Sequence, residues 1–255
     1  FDETRQYDSL SLFEMEGALT DAWFLMDRPF EFIGFDACLM STLECANLLV
    51  PHARYMIASQ EIEPGSGWNF RRFLAALDAE PGMSAEELGQ EIVDSYFAGN
   101  SGVNYSDIIT LSVIDLSRID PLLQSFHKSA RLFYEKVEPD NSALPSLLSG
   151  IYAAENYGFN NRVEGYNNMV DLASLLQNLS RIENEAELRE ACLETEAKLA
   201  EAVVYLRNGV KKERSGGLSI YFPLKIMSQR ELPTFEQVAV SPYYLAFIDR
   251  FVRQQ

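Results

Sequence analysis

Asp36 and Cys38, in the run Glu31–Cys45 (EFIGFDACLMSTLEC), are the residues of this chain best suited by type and spacing to chemistry. A thiolate is a nucleophile. A second group follows: Ser59, then Glu61, Glu63 and Trp68 within Gln60–Phe70 (QEIEPGSGWNF). Its Pro64-Gly65-Ser66-Gly67 core demands a loop.

The elements that must position these residues are legible on either side. Phe32, Ile33 and Phe35 form a short apolar, β-favouring run, which predicts a buried strand. From Leu39 the period changes, with Leu39, Leu43, Ala46 and Leu49/Val50 at helical spacing. Cys38 therefore falls where a strand ends and a helix begins, the edge of an α/β sheet where ligands collect. The positive end of the following helix favours a thiolate there. Asp36, two residues earlier, shares a face with Cys38 if the strand extends that far. The competing reading makes Cys38 a small buried core residue, and position alone leaves both open. Tyr55–Ser59 reads as a second buried strand, so strand, helix, strand and loop follow as in a parallel βαβ unit. Loops at that edge carry specificity residues. Trp68 reads equally well as a core side chain.

Composition sets bounds. Of 255 residues, 47% are hydrophobic and 23% charged, an ordinary balance for a globular chain able to bury a sizeable core. A net charge of −17 argues against nucleic acid, whose phosphates need a basic surface. No apolar run approaches the roughly 20 residues that span a bilayer. Cys38, Cys45 and Cys192 make neither a disulfide framework nor a zinc pair.

The remainder predicts an amphipathic helix in Leu10–Met26, helices at Phe70–Leu77 and Ser84–Phe97, and a third buried strand at Ile108–Leu116. Ser84 and Glu87 stand at capping-box spacing. Helices follow at about Pro121–Val137, Ser142–Tyr152, Val170–Leu179 and Glu185–Leu206, with an irregular loop at Glu155–Asn168. Lys211–Arg214 reads as a solvated basic turn, Gly217–Phe222 as a fourth strand and Pro242–Val252 as a closing helix. The economical architecture is one α/β domain over 1–255, with a helical subdomain at 118–210.

FDACLMSTLECA, YMIASQEIEPGSGWNF, IITLSVIDLS and GLSIYFP together resemble the clostripain family of cysteine peptidases, which shares a clan with caspases, legumain and gingipains. The DAC triplet alone is weak; followed by the SxExxPGxGW loop it is specific. The resemblance implies an α/β, caspase-like three-layer sandwich with a mostly parallel central sheet and helical additions in the C-terminal half. It implies a cysteine–histidine dyad that cleaves after arginine or lysine. The family nucleophile falls on Cys38 and the acid of the primary specificity pocket on Asp36, read here as buried. Ser59, Glu61 and Trp68 match the loop that walls that pocket. Calcium is a common requirement of the family, although no ligands can be named in this chain. Family habit points to a bacterial protein that is secreted or sits in the cell envelope.

The dyad histidine of the family lies in a His-Gly strand ahead of the region seen here. This chain has only His52 and His127, neither followed by glycine. The first expectation is a light-chain fragment carrying the histidine, separated by self-cleavage near Phe1 and still associated. The alternatives are a non-catalytic peptide-binding or scaffold domain of the same fold, and an acidic calcium-binding surface domain with an incidental cysteine.

Overall fold

The computed structural model describes residues 10–26, 28–163, 165–182 and 184–253. The junction expected at Phe1 lies outside them. Ser11 and Glu14 form a reciprocal capping box that opens helix α1 (Leu12–Trp23). Strand β1 (Phe30–Gly34) follows, then α2 (Leu43–Leu49), whose N-cap Thr42 accepts a hydrogen bond from the Cys45 N–H, and β2 (Ala53–Ala58). β1 and β2 pair in parallel, Phe32 opposite Tyr55, so the predicted βαβ unit is present.

Helices α3 (Phe70–Ala79) and α4 (Ala85–Gly99) come next, α4 opened by the predicted Ser84–Glu87 capping box. β3 (Thr110–Asp115) then runs antiparallel to β2. Two successive helices carry the chain across the sheet and back, so β3 enters from the end where β2 leaves. β6 (Val203–Asn208) completes the order β1-β2-β3-β6, antiparallel to β3. The α/β class stands, and with β1, β2 and β6 running one way and β3 the other the central sheet is mostly parallel, as expected.

Alternation along the strands builds the layers. Met56, Ala58 and Ile114 face one core, with α5 (Ile119–Val137), α8 (Ala186–Ala202) and α10 (Pro242–Val252). Ile57 and Val113 face the other, against Phe73 of α3 and Ile92 and Tyr96 of α4. The sheet is thus sandwiched between two helical layers.

Elsewhere the structure departs from the sequence reading. The predicted helix Glu185–Leu206 stops at Ala202 and continues as β6. Val203, Val204 and Tyr205 are β-favouring, and pairing with β3 satisfies their backbone. The stretch Glu155–Asn168, apart from Glu164, contributes the short β4 (Asn156–Tyr157) after α6 (Leu144–Tyr152). β4 joins β5 (Met169–Asp171) and β7 (Ser219–Tyr221) in a second, antiparallel sheet. α7 (Leu172–Leu179) begins two residues later than predicted because Asp171 caps it, accepting from the Ser174 N–H at 2.7 Å. A short helix not foreseen, α9 (Glu231–Glu236), precedes α10.

Candidate active site

Cys38 sits in the turn between β1 and α2 and is exposed, which sets aside the buried-core reading. The turn is laid on the end of β2 by three backbone bonds: Phe35 N–H to Ile57 O, Leu39 N–H to Glu61 O, and Ser41 N–H to Ser59 O. Leu39 adopts φ 63°, a left-handed conformation that costs a branched residue on the order of 1 kcal/mol. Strain beside a reactive side chain is where such conformations cluster. The Glu63 N–H donates to Sγ of Cys38 at 3.2 Å. This main-chain bond fixes the sulfur at the mouth of the loop.

Asp36 is exposed, not buried as the sequence reading has it, because β1 is the edge strand and no described element lies beyond it. Its carboxylate is nevertheless fixed. The Trp68 N–H donates to Oδ1 at 3.1 Å. Gly67, at φ +59°, lies so close that a Cβ there would stand 2.8 Å from both carboxylate oxygens. Trp68 is buried, its ring tip covering Gly34 of β1. The two glycines therefore let the PGSGW loop fold down on β1 and clasp Asp36.

Ser59 and Glu61 are buried and bonded elsewhere. Ser59 Oγ bonds with Thr110 Oγ1 and donates to Glu61 O, which ties the strand end together. Glu61 Oε1 accepts from the N–H groups of Ile62 and Gly158, and Oε2 pairs with Lys212 Nζ at 3.0 Å. Lys212, in the turn read as solvated, is thus drawn inward by Glu61 and by Glu155 at 3.0 Å. Ser59 and Glu61 brace the loop, while Asp36, Cys38, Glu63 and Trp68 meet at its mouth.

Three residues with no role assigned from the sequence join the site. Glu63 stood in the candidate loop without a role; both of its carboxylate oxygens are enclosed and unpartnered. Tyr96 of α4 brings a buried hydroxyl within reach of the charges of Glu63, Cys38 and Asp36. Asn100, the C-cap of α4, donates to Gly67 O at 3.2 Å and so anchors the loop to that helix. Only the Glu-Pro-Gly triplet signals any of this locally; Tyr96 and Asn100 arrive by helix packing.

On the far side of the nucleophile turn an apolar cleft of about 490 Å³ is lined by Leu39, Met40, Tyr166, Phe235 and the carboxyl group of Glu44. Glu44 Oε1 accepts from the Tyr221 N–H, while Oε2 is buried without a partner. Burial pushes this carboxyl up to about 7.

Neither histidine is at the site. His52 is buried beside the start of β1, where its carbonyl accepts from the Phe30 N–H. At about 3.3 Å per residue that is roughly 15–20 Å from Cys38. His127 lies on α5, its Nδ1 bonded with Ser241 Oγ and its ring against Tyr243. Among the described residues no three His, Cys, Asp or Glu side chains gather as a metal site. Calcium, implied by the resemblance, thus meets no such side-chain cluster among these residues. No described helix is long and apolar enough to cross a membrane.

The sequence profile of the clostripain family matches residues 1–243. The chain belongs to the clostripain family. Among solved structures it is similar to a clostripain from Bacteroides thetaiotaomicron bound to the peptide inhibitor BTN-VLTK-AOMK. That likeness has a TM-score of 0.66 at 19% identity over 95% of this chain and 96% of the other. It is also similar to a secreted cysteine protease of the same family from that organism in complex with an irreversible peptide inhibitor, at TM-score 0.64 and 20% identity. A third likeness is to an inactive zymogen from Parabacteroides distasonis, at TM-score 0.61 and 20% identity. These two cover 94% and 92% of this chain but 64% and 61% of theirs. No protein of curated function shows detectable sequence similarity. Membership of the clostripain family makes this a cysteine peptidase fold, and of the three cysteines Cys38 alone is exposed.

Proposed function

We propose that this chain is the nucleophile-bearing part of a cysteine endopeptidase that cuts after arginine or lysine. The observation that carries the reading is the pairing of an exposed, backbone-bonded thiol at Cys38 with a carboxylate, Asp36, clasped beside it by Gly67 and Trp68. In the proposed reaction the Cys38 thiolate attacks the scissile carbonyl carbon, and the C=O electron pair moves onto oxygen. The Cys38 N–H is one donor to that oxyanion. Collapse expels the amine, which takes up the proton removed from the thiol, and water then hydrolyses the thioester.

Asp36 receives the guanidinium or ammonium of the residue before the scissile bond. The VLTK peptide on the Bacteroides thetaiotaomicron clostripain ends in lysine, which supports a basic preference. Trp68 holds Asp36 in place, and Ser59 and Glu61 act on the pocket only through the loop they brace.

The base is assigned to a histidine on an upstream segment, because His52 lies at the far end of β1 and the His127 ring is bonded with Ser241. Among the described strands β1 ends the sheet, and it offers that segment an edge to pair with. Exposed Phe13, Phe24 and Leu25, in and just after α1, offer it apolar surface. Self-cleavage before the heavy chain, a calcium requirement and export from a bacterium, as in the secreted relative, belong to the same proposal.

The test is hydrolysis of peptides bearing Arg, Lys, Leu or Glu before a fluorogenic leaving group by the full-length protein. Cleavage after Arg and Lys, abolished in Cys38→Ala and reduced at least a hundredfold in Asp36→Asn, is expected. A full-length protein that binds basic peptides but cuts none is instead a peptide-binding module.

A further inference from the structure

The two sides of the nucleophile turn belong to different layers of the sandwich. Trp68, which holds Asp36, packs in the layer of α3 and α4. Met40, two residues beyond Cys38, packs in the layer of α5, α8 and α10. Cys38 stands between them, in the turn after β1. The cleft of about 490 Å³ lies on the Met40 side, and its wall starts at Leu39, the residue next to the nucleophile. Adjacent Cα atoms are about 3.8 Å apart, so that wall begins one peptide unit from Cys38. Met40, Met169 and Val238 are half-buried along it, and Phe235 is buried.

We propose that this cleft is the subsite for the residue that follows the scissile bond, and that it selects an apolar side chain such as leucine or phenylalanine. This rests on the endopeptidase reading above and adds to it a second specificity, on the leaving side. An extended peptide points successive side chains in opposite directions. With the basic side chain turned to Asp36 and its clasp, the next side chain turns toward the other layer. There it meets Leu39 and Met40, one and two residues on from the thiol.

The chemistry of the wall sets the preference. Thioether, alkyl and aromatic groups reward the removal of apolar surface from water and penalise a polar side chain that finds no partner. The scissile C–N bond breaks as the thioester forms, so the residue in the cleft departs with the amine before water enters. The cleft therefore acts on formation of the thioester, and hydrolysis of the thioester is the same whatever residue has left.

The experiment measures kcat/KM of the full-length protein on internally quenched peptides that share Val-Leu-Thr-Lys before the scissile bond and carry Leu, Phe, Asn or Gly after it. Mass spectrometry fixes the position of the cut. A second panel keeps Leu after the bond and varies the threonine ahead of lysine. The methyl ester of the same acyl peptide, whose leaving group is methanol, reads the nucleophile and the basic seat with the cleft empty. Leu and Phe are expected to exceed Asn and Gly by roughly tenfold or more. Thr234→Trp and Ser228→Trp, which put an indole on the exposed rim of the cleft, should shrink that ratio about threefold or more while the ester is hydrolysed as by the parent. Equal rates for the four residues, or a ratio kept in both tryptophan variants, overturns the proposal. So does a tryptophan effect that follows the residue ahead of lysine and not the one after the bond. A parent protein that hydrolyses neither the ester nor any of the peptides overturns the endopeptidase reading itself.

Discussion

The backbone N–H of Glu63 meets Sγ of Cys38 at 3.2 Å, joining the loop after β2 to the turn after β1 at the one atom where covalent chemistry would occur. Because the donor is main chain, it survives any side-chain substitution at Glu63 except proline. The thiol is therefore positioned by the fold of the loop and not by a neighbouring side chain.

Selective alkylation follows from the contrast among the three cysteines. Cys45 and Cys192 are buried in helices, and burial pushes both thiols up to about 12. Their thiolate fraction at neutral pH is about three orders of magnitude below that of an ordinary free cysteine. Iodoacetamide on the native protein should give one adduct, on Cys38, by peptide mass spectrometry. Comparable labelling of Cys45 would mean that α2 opens readily.

Gly67 should not tolerate alanine. Its φ of +59° and the 2.8 Å approach of Asp36 leave no room for a Cβ. Gly67→Ala is expected to cost about 1–2 kcal/mol. It should also lower kcat/KM for arginyl peptides more than tenfold, as Asp36 is pushed aside. Wild-type turnover in Gly67→Ala would show that the clasp on Asp36 is dispensable.

Glu61 is expected to matter for stability and not for the choice of substrate. Removing its charge in Glu61→Gln leaves Lys212 with Glu155 as remaining ionic partner. A broken buried pair costs about 3–5 kcal/mol, and the surviving partner brings the expected loss to roughly 1–3 kcal/mol. Denaturant unfolding should register that loss while the ratio of Arg to Leu cleavage stays put. A collapse of that ratio would return Glu61 to the pocket.

Glu44 should impose a pH dependence on stability. In the unfolded chain the carboxyl titrates near 4.5, and in the fold it keeps its proton to about 7. The folded protein binds more protons between those values, so this contribution is complete below 4.5 and is lost as pH rises through 7. The loss is roughly 3 kcal/mol. Glu44→Gln, which imitates the protonated form and keeps an acceptor for the Tyr221 N–H, should flatten the decline between pH 5 and 8 in part, since Glu63 contributes a decline of the same sign. An unchanged slope would show that water reaches Glu44 Oε2 through the cleft.

Local sequence was enough to locate Cys38. The apolar run Phe32–Phe35, the change of period at Leu39 and the Pro-Gly loop are all short-range signals, and they become β1, α2 and the clasp over Asp36. The capping boxes at Ser11 and Ser84 were legible for the same reason: both partners lie within one helical turn. Residues far apart in the chain were decided by tertiary packing. Val203–Asn208 became a strand because β3 offered an edge for its backbone to pair with, which outweighed the helical period carried over from α8. Lys212 went inside because Glu61 and Glu155, remote in sequence, surround it. Asp36 stayed open because β1 came to lie at the edge of the sheet. The enclosure of Glu63 by Trp68 and Tyr96 depends on α4 packing under the loop, through contacts that no spacing in the sequence records. Backbone preference and periodicity act over a few residues and are written in order along the chain, whereas desolvation and charge pairing belong to whatever the fold brings together.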